Sequence, residues 1–382
     1  MFIYLILILI LLDTVHILTR KSILKIKHKT WKVDKSSSFI ELDGLIEIIN
    51  LDKKKEIMIP EFKIECKVLG KNNFDSLKQT INIKPLFDNL PNRVDQYWQA
   101  YILKSKHSFN VAIKLRLEEI QGLDIINDIE NVWIDVKWVN YSPFGRFKFK
   151  DGFVVPIKYP AKSSFTKQIS KKNTSFRTIP IKTHMLGVLD DPIKVVKKYI
   201  DSTVKAGDII TIGETPLAII QGRYQHPSNI KPSILAKVLC YFFHPTSSLA
   251  TACGMQSLIN EVGPSRIILA WLIGMIFKIF MIKGMFYRLA GYQARLIDDI
   301  TGTTPPYDQV IVLGPADPKK YCDRLALETG VEVAVVDVND LGRVKILASS
   351  SGADNLLIYK ALRANPAGNA DEQTPIVIVR PS

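Results

Sequence analysis

The feature that most constrains the fold is a change in the spacing of apolar residues about halfway along the chain. From about residue 36 to 157 they recur at every second position, as in Phe109–Leu117. A period of two is typical of antiparallel strands that bury one face and expose the other. From Thr178 onward, short apolar strands alternate with amphipathic helical segments. The pattern therefore predicts an antiparallel β domain followed by an α/β domain.

The first domain, residues 36–157, reads as about seven strands, and this number and spacing favour a β-sandwich. Alternation is clearest in Ile64–Val68, Phe109–Leu117 and Val132–Trp138, and further strands are predicted at Phe39–Asn50, Tyr97–Lys104 and Arg146–Val155. Polar residues such as Asp135 and Lys137 are expected on a solvated face. Because no catalytic constellation occurs here, we interpret the domain as a scaffold or interaction module.

An apolar segment opens the chain, FIYLILILILL from Phe2 to Leu12, and basic residues follow it from Arg20 to Lys32. We predict a membrane anchor over residues 1–20. Its length is at the short end of what can span a bilayer. The positive-inside rule then places the C-terminal domains on the cytoplasmic side of a single-pass anchor. A cleaved signal peptide or a misassigned start codon is the alternative, although no basic residues precede the apolar stretch.

Net charge is +14, of which +13 falls within residues 1–200 and +1 within residues 201–382. Aromatic residues do not interleave with the basic cluster after Arg20, and no nucleic-acid-binding signature occurs, so we expect no nucleic acid partner. Membrane topology and attraction to anionic lipid explain the basic cluster equally well. A charge-driven nucleic-acid binder remains a weaker alternative, which predicts steep salt dependence in the N-terminal half alone.

Residues 158–177 are rich in Lys, Ser and Thr and are predicted to be a linker, so that the second domain spans 178–382. In it, Asp191-Pro192 caps a helix predicted over Ile193–Val204, and Asp317-Pro318 caps another that ends at Gly330. Gly207-Asp208 leads into the apolar segments IITI and LAII. Val331–Val338 is nearly all apolar, as in a strand covered on both faces, and Ile376–Arg380 is the last strand.

A long apolar segment, Ile267–Tyr287, lies between these strands and contains Lys278 and Lys283. It is long enough to span a bilayer, but a span would divide one α/β unit between two sides of the membrane. A helix lying on the membrane or against the anchor is therefore favoured over a core helix and over a true span. An exposed apolar helix would also permit a homodimer.

Motif searches exclude several kinds of site. The chain has no GxxxxGKS/T, no GxGxxG after a strand, no GxSxG and no HExxH. Its four cysteines, Cys66, Cys240, Cys253 and Cys322, are too widely spaced for a usual zinc site and are expected to be reduced. Histidines such as His184 lie in polar contexts, where an ordinary surface or capping role is commoner.

Acidic residues are more informative. Asp298-Asp299 follows the long apolar segment, and Asp337, Asn339 and Asp340 follow the apolar strand. In α/β sheets, ligands gather beyond the carboxyl ends of strands. Carboxylates from two such ends could share magnesium or manganese, which prefer oxygen ligands. The alternative is that these aspartates only cap loops.

Several segments, in this order, resemble the coenzyme F420-0:L-glutamate ligase family over residues 177–382. They are RTIPIK at Arg177–Lys182, Ala206–Asp208, Gln221-Gly222-Arg223, Leu296-Ile297-Asp298, VIVLGPADP at Val310–Pro318, VAVVDVNDLGR at Val333–Arg343 and the final PIVIVRP. Residues upstream of 170 are outside this resemblance. The predicted fold is thus α+β multidomain: an N-terminal membrane helix, an antiparallel β-sandwich and an α/β ligase-like domain.

The resemblance implies a GTP- and metal-dependent ligase that joins L-glutamate to an acidic cofactor, with phosphoryl transfer activating the carboxylate. It implies a metal site of Asp298, Asp340 and Asn339, and nucleotide or cofactor contacts at Thr301, Gly222, Arg223 and Arg343. The loop Asn365–Thr374 falls where the family closes over nucleotide.

Two departures bear on activity. Ile219 stands where the family has a phosphate-reaching lysine, and Asn339 stands where it has a carboxylate ligand. One hypothesis is therefore a membrane-anchored ligase relative that retains metal and nucleotide. The other is a non-catalytic scaffold or ligand-sensing module at the membrane.

Overall fold

The structure is a computed structural model that describes residues 2–19, 24–87, 95, 97–120, 125–142, 145–160, 176–201, 203–282, 284–300, 303–368 and 372–382. Helix α1 spans Phe2–Thr19. The N-terminal domain then contains β1 (Leu24–Lys35), β2 (Phe39–Asn50), β3 (Ile57–Gly70), β4 (Leu77–Leu86), β5 (Tyr101–Leu103), β6 (Ser108–Glu119), β7 (Ile129–Ser142) and β8 (Gly145–Pro156).

These strands form two antiparallel four-stranded sheets, in the orders β1-β2-β6-β4 and β5-β3-β7-β8. Inward-facing residues of both sheets, such as Ile40, Leu115 and Ile134, form one buried cluster. A β-sandwich of about seven strands was predicted, and the structure has a sandwich of eight, β1–β8. Strand β1 lies upstream of the predicted boundary at residue 36 and carries basic residues that the sequence suggested for membrane topology, including Lys25 and Lys32.

The prediction of a solvated face was wrong for the middle of β7. Trp133 and Asp135 are buried there, 5% and 1% exposed. The Trp133 Nε1 donates to Asp135 Oδ1 at 2.9 Å, and Lys150 pairs with the same oxygen at 3.2 Å. The second domain covers this face, which is why a strand that alternates in hydropathy is buried on both sides.

The second domain contains β9 (Phe176–Ile181), α2 (Pro192–Ile200), β10 (Ile209–Gly213), α3 (Glu214–Ile220), β11 (Tyr224–Gln225), α4 (Ile234–Leu239), α5 (Ala252–Val262), α6 (Pro264–Ile279), α7 (Met285–Leu289), β12 (Ile311–Val312), α8 (Pro318–Thr329), β13 (Glu332–Val338), β14 (Val344–Ser349), α9 (Asn355–Leu362) and β15 (Ile376–Pro381). Its main sheet has the order β14-β13-β10-β15-β9. Only β10 and β13 are parallel neighbours among the pairs described.

Strand β13 is covered on both faces, as its apolar sequence predicted. Val333 and Val335 belong to a cluster with α2 and α8, whereas Ala334 and Val336 belong to a cluster with α9. The segment LAII, which follows IITI, lies in helix α3. The sheet thus has helices on both sides, and loops at the ends of its strands are free to build a site.

The predicted caps are partly present. The Asp191 carboxylate accepts from the backbone N–H groups of Ile193 and Lys194, and α2 ends at Ile200 rather than at Val204. Gly330 ends α8 with a left-handed φ of 73°, as predicted. The predicted side-chain cap at Asp317 is absent, because that residue has a φ of 43° and makes no cap hydrogen bond.

The apolar segment Ile267–Tyr287 is not one helix. Helix α6 ends at Ile279 and α7 begins at Met285. The first part of α6 is core, with Ile267 fully buried, but its last turn is exposed. Helix α1 packs against α4 and α6, with Ile6 and Ile10 on that helical cluster.

Within the described residues, a helix that alone has the length and apolarity to cross a membrane is not found. Helices α5 and α6 meet that test only as a pair, by length and composition, and they are bent by 114° at their junction. Ile3–Leu12 is a shorter apolar helical stretch. The predicted linker falls largely on residues 161–175, outside the described residues.

Candidate functional site

A cleft of about 630 Å³ opens where the parallel strands β10 and β13 end. This is the edge at which α/β sheets hold ligands. Its walls come from the ends of β10, β13 and β15, the start of α3, and loops of the second domain. The lining includes Thr183–Leu186, Gly213–Pro216, Ile219, Asp298, Thr303–Pro305, Tyr307, Val336–Val338, Asn365–Gly368 and Gln373–Pro375.

Three carboxyl groups meet in this cleft. Glu214 begins α3 directly after β10, and Asp337 lies near the end of β13. Asp298 is fixed by two backbone hydrogen bonds with Val312 of β12, at 2.9 and 2.8 Å, and its Oδ2 accepts from Thr215 Oγ1 at 3.3 Å. The three residues are far apart in the sequence. They lie together because the main sheet and the β11–β12 ribbon bring their segments to one place.

Burial raises the pKa values of two of the three carboxyl groups, Glu214 and Asp298. It raises the pKa of Glu214 to about 9, and the negative charges of Asp337 and Asp298 raise it further in the same direction. Burial also raises the pKa of Asp298 to about 6, with a smaller contribution from Asp337. Glu214 Oε2 is buried without a hydrogen-bond partner among the described residues. The cleft therefore favours either a proton on Glu214 or a cation beside it.

Lys345 carries a positive charge that interacts with these carboxyls, although it is not part of the cleft lining. It lies on edge strand β14 directly opposite Asp337 in the antiparallel register. Its charge interacts favourably with Glu214 and Asp337, whereas burial and the neighbouring Arg295 and Arg343 lower its pKa. Neither Glu214 nor Lys345 was predicted from the sequence. The strand-end rule could have drawn attention to Glu214, which lies two residues after the predicted strand IITI.

The predicted metal ligands do not form one site. Only Asp298 lines the cleft, whereas Asp340 is exposed and its Oδ1 accepts from Asn365 Nδ2 at 2.7 Å. Asn339 Oδ1 accepts from the backbone N–H of Arg343, which closes a tight turn. The shared site was implied by the family resemblance, but in this structure the turn after β13 engages Asn339 in its own backbone and Asp340 with Asn365.

In the described part of the chain, no group of three or more His, Cys, Asp or Glu side chains is close enough to hold a metal ion. Magnesium, however, is commonly bound by one or two carboxylates together with substrate phosphates. Glu214, with its unpartnered oxygen, and Asp298 fit this chemistry as a pair of oxygen donors.

The predicted cofactor contacts lie elsewhere. Arg223 donates to the Gly314 carbonyl at 2.7 Å and to Glu261 at 2.8 Å. Gly222 ends α3 with a left-handed φ of 66°. Neither residue lines the cleft, and the exposed Arg343 does not either. Thr301 lies outside the described residues.

Ile219 takes a structural part in the cleft. It lines the wall and packs in an apolar cluster with Trp133 of β7, Val154 of β8 and Tyr307. The Trp133 and Tyr307 rings meet edge to face, with centroids 5.3 Å apart. The position expected to hold a phosphate-reaching lysine therefore helps to join the two domains.

His184 also lines the cleft and is buried, although its sequence context favoured a surface role. Its Nδ1 lies 2.6 Å from Tyr199 Oη, and its Nε2 lies 3.0 Å from Asp190 Oδ1. Both ring nitrogens are thus engaged within the protein. Because both nitrogens are engaged, the imidazole stabilises the wall of the cleft and cannot accept a proton from a substrate in this arrangement.

The loop Asn365–Thr374 contributes to the cleft through most of its described residues, and residues 369–371 lie outside the description. The Gln373 carbonyl accepts from the backbone N–H of Thr183 at 2.9 Å, which ties the end of the loop to the segment after β9. Closure of this loop over a nucleotide stays a prediction.

Comparison with known proteins gives one family match. Residues 25–159 match the N-terminal Ig-like domain of F420-0:gamma-glutamyl ligase. No curated protein matches the chain. Among solved structures, the GAE domain of GGA2p from Saccharomyces cerevisiae is 12% identical, covering 35% of this chain and 89% of that one, with a TM-score of 0.21. A protein from Archaeoglobus fulgidus is 15% identical, covering 35% of this chain and 96% of that one, with a TM-score of 0.20.

TM-scores this low do not establish a shared fold. The family match lies in the N-terminal part, which the sequence analysis had left outside the resemblance. It agrees in family with the resemblance noted independently for residues 177–382. The two-sheet sandwich thus coincides with the residues that match the N-terminal Ig-like domain of F420-0:gamma-glutamyl ligase, and the match covers about a third of the chain.

Proposed function

We propose that this protein is a gamma-glutamyl ligase-like enzyme that uses the cleft of its second domain to join L-glutamate, or a similar amine, to an acidic cofactor. The observation that carries the proposal is the cluster of Glu214, Asp298 and Asp337 at the ends of β10 and β13. The Ig-like domain match supports the family, and the order of motifs from Arg177 to the C-terminus supports the chemistry.

A divalent magnesium or manganese ion would be held by Glu214 and Asp298 together with nucleotide phosphates. When bound, the ion neutralises charge on the transferring phosphoryl group. A neighbouring cation favours the ionised carboxylate, so binding would return the pKa of Glu214 toward its ordinary range. The same site without an ion favours a proton on Glu214 at neutral pH.

Lys345 is proposed to take over the role of the lysine that is absent at Ile219. Its charge interacts favourably with the cleft carboxyls Glu214 and Asp337 although Lys345 does not itself line the cleft, and its burial weakens its hydration. An incoming phosphate would give it a second anionic partner. The substrate carboxylate and the nucleotide would then lie on the side of the cleft nearest β14.

A non-catalytic scaffold or ligand-sensing module is the second candidate. It is favoured by the apolar Ile219 wall and by the neutral Asn339, which braces a turn. Metal binding separates the two candidates, because a scaffold has no need of a cation beside Glu214.

Membrane attachment through α1 is also proposed, with the C-terminal domains on the cytoplasmic side. It is supported by the uncharged run from Phe2 to Leu12 and by the exposed side chains of Ile3, Leu7 and Leu11.

A thermal-shift titration of the purified full chain tests the ligase proposal. The full chain is required because Trp133 and Tyr307 join the two domains. GTP, ATP and buffer are compared with manganese, magnesium or chelator. A ligand that binds only the native state raises the melting temperature by mass action. We expect a metal-dependent rise with GTP.

Two matched variants locate the binding. Asp298→Asn should abolish the rise, whereas Asp340→Asn should retain it, because Asp340 lies outside the cleft. A rise in the wild type then justifies a ligation assay with glutamate and an acidic deazaflavin cofactor. No shift with any nucleotide and metal, from a chain that melts cooperatively, would refute the ligase proposal and favour the scaffold.

A further inference from the structure

Charge is distributed very unevenly within the second domain. Residues 215–297 contain eight basic residues and a single acidic one, Glu261, even though the whole C-terminal half is nearly neutral. Glu261 is paired with Arg223 at 2.8 Å. This segment forms helices α4–α7, so the domain carries a helical part with almost no negative charge.

Helix α1 joins this part of the molecule. Ile6 and Ile10 pack on the cluster formed by α4–α7, and α1 contacts both α4 and α6. The apolar N-terminal helix and the apolar helices of the second domain therefore form one layer, which we call the basic helical layer: α1, which carries Asp13, α4, residues 240–243, α6, residues 280–282 and α7.

Large apolar side chains of this layer are exposed. Tyr241 is 87% exposed, and at the end of α6 Phe280 and Met281 are 70% and 83% exposed. Met281 has a left-handed φ of 62°, a conformation that usually belongs to glycine at a helix end. Ile3, Leu7, Leu11, Val238, Leu269, Ile276 and Ile279 are also exposed.

The basic residues lie among these apolar ones. Lys237 on α4, Lys278 on α6 and Arg288 on α7 are all exposed. A surface with aromatic and aliphatic side chains beside lysine and arginine is typical of elements that lie in the interface of an anionic bilayer. A second copy of the same layer fits less well, because it would bring like charges together.

We propose that the basic helical layer is a membrane-contact face that inserts Tyr241 and the Ile279–Met281 tip into one leaflet of an anionic membrane. The layer holds α1 along its surface instead of leaving it as a separate anchor. This inference rests on the proposed membrane attachment through α1 and deepens it, and it is independent of the ligase chemistry, since it needs neither the cleft carboxyls nor a nucleotide.

Flotation of the purified full chain with lipid vesicles tests it. Vesicles of phosphatidylcholine alone are compared with vesicles containing 30% phosphatidylglycerol. We expect stronger binding to the anionic vesicles, weakened by added salt. The double variant Phe280→Glu/Met281→Glu should bind the anionic vesicles at least tenfold less. Leu327→Glu/Leu341→Glu is the matched control, because these leucines are 86% and 93% exposed outside the layer.

A second variant separates charge from apolar insertion. Lys237→Glu/Lys278→Glu should lose the preference for anionic vesicles and leave the melting temperature unchanged, since both lysines are exposed. An environment-sensitive fluorophore on Phe280→Cys should shift to the blue with vesicles, while one on Leu327→Cys should not.

Binding that is equal in the wild type and the Phe280→Glu/Met281→Glu variant would overturn the inference and leave α1 as a separate anchor. A blue shift at residue 280 that depends on protein concentration without vesicles would also overturn it, in favour of a second copy. Failure of the nucleotide titration leaves these results unaffected, so the two proposals fail separately.

Discussion

Replacing Glu214 by glutamine should make the protein less sensitive to alkaline pH. The folded protein holds a proton on Glu214 up to a pKa of about 9, whereas the unfolded chain loses it near 4.5. Between these values the unfolded state binds fewer protons, so the free energy of unfolding falls as pH rises. The glutamine side chain keeps the shape of the carboxylic acid and does not titrate.

The magnitude follows from linkage. One titrating group changes stability by about 1.4 kcal/mol per pH unit, so the gain of Glu214→Gln over the wild type should grow by about 4 kcal/mol from pH 5 to pH 8. Groups that do not interact with Glu214 titrate equally in both proteins and cancel in the difference.

Urea unfolding of both proteins at several pH values, in chelator, measures this difference. Glu328→Gln is the control: Glu328 forms a surface ion pair with Lys197, and its substitution should give a difference that is small and flat with pH. If the Glu214→Gln curve runs parallel to that of the wild type, Glu214 is ionised in the folded protein and the argument from its burial is wrong.

Three further substitutions test the packing. Trp133→Ala should lower the free energy of unfolding by about 3–5 kcal/mol, because it removes a buried ring that contacts Tyr307 across the domain boundary. Gly152→Ala should cost about 1–3 kcal/mol, since the added carbon would overlap the Trp133 ring. Arg380→Ala should cost about 3 kcal/mol by stranding Asp208, a carboxylate that is 2% exposed and accepts two hydrogen bonds from Arg380. Chemical denaturation measures all three.

For each substitution, one result would contradict the predicted change in stability. Wild-type stability of Trp133→Ala would mean that the domains do not pack through this ring, and full tolerance of Gly152→Ala would mean that the ring moves aside freely. For the ion pair, adding Asp208→Asn to Arg380→Ala should recover part of the loss. An additive double variant would show that the two side chains do not interact.

Strand positions in the first domain were predictable because each strand buries one face in a local, two-residue period. The predicted strand Phe39–Asn50 is β2 at the same bounds, and Arg146–Val155 differs from β8 by one residue at each end. The period failed at Trp133 and Asp135 because the partner that buries their face is more than 80 residues away along the chain. Local patterning carries no information about such a partner.

The site was less predictable. The strand-end rule predicted that Asp298 and Asp337 could lie together, and both line the cleft, but it did not predict Glu214, and Asn339 and Asp340 are not in the lining. A turn of four or five residues decides which way a side chain points, and its direction depends on backbone angles that the pattern of residue types does not fix. The resemblance to a family could not show that Ile219 packs between the domains or that Arg223 bonds to Gly314 and Glu261.

By itself, the sequence determined the two kinds of domain, most strand positions, the cap at Asp191 and the apolar character of α1 and α6. These follow from residue period and capping chemistry, which act over a few residues. Only the tertiary structure decided that the sandwich is buried against the second domain, that three carboxyls share one cleft, and that α1 lies on α4 and α6. Those features depend on which distant surfaces meet, and the free energy of that choice is distributed over many contacts, none of which is encoded in a single local segment.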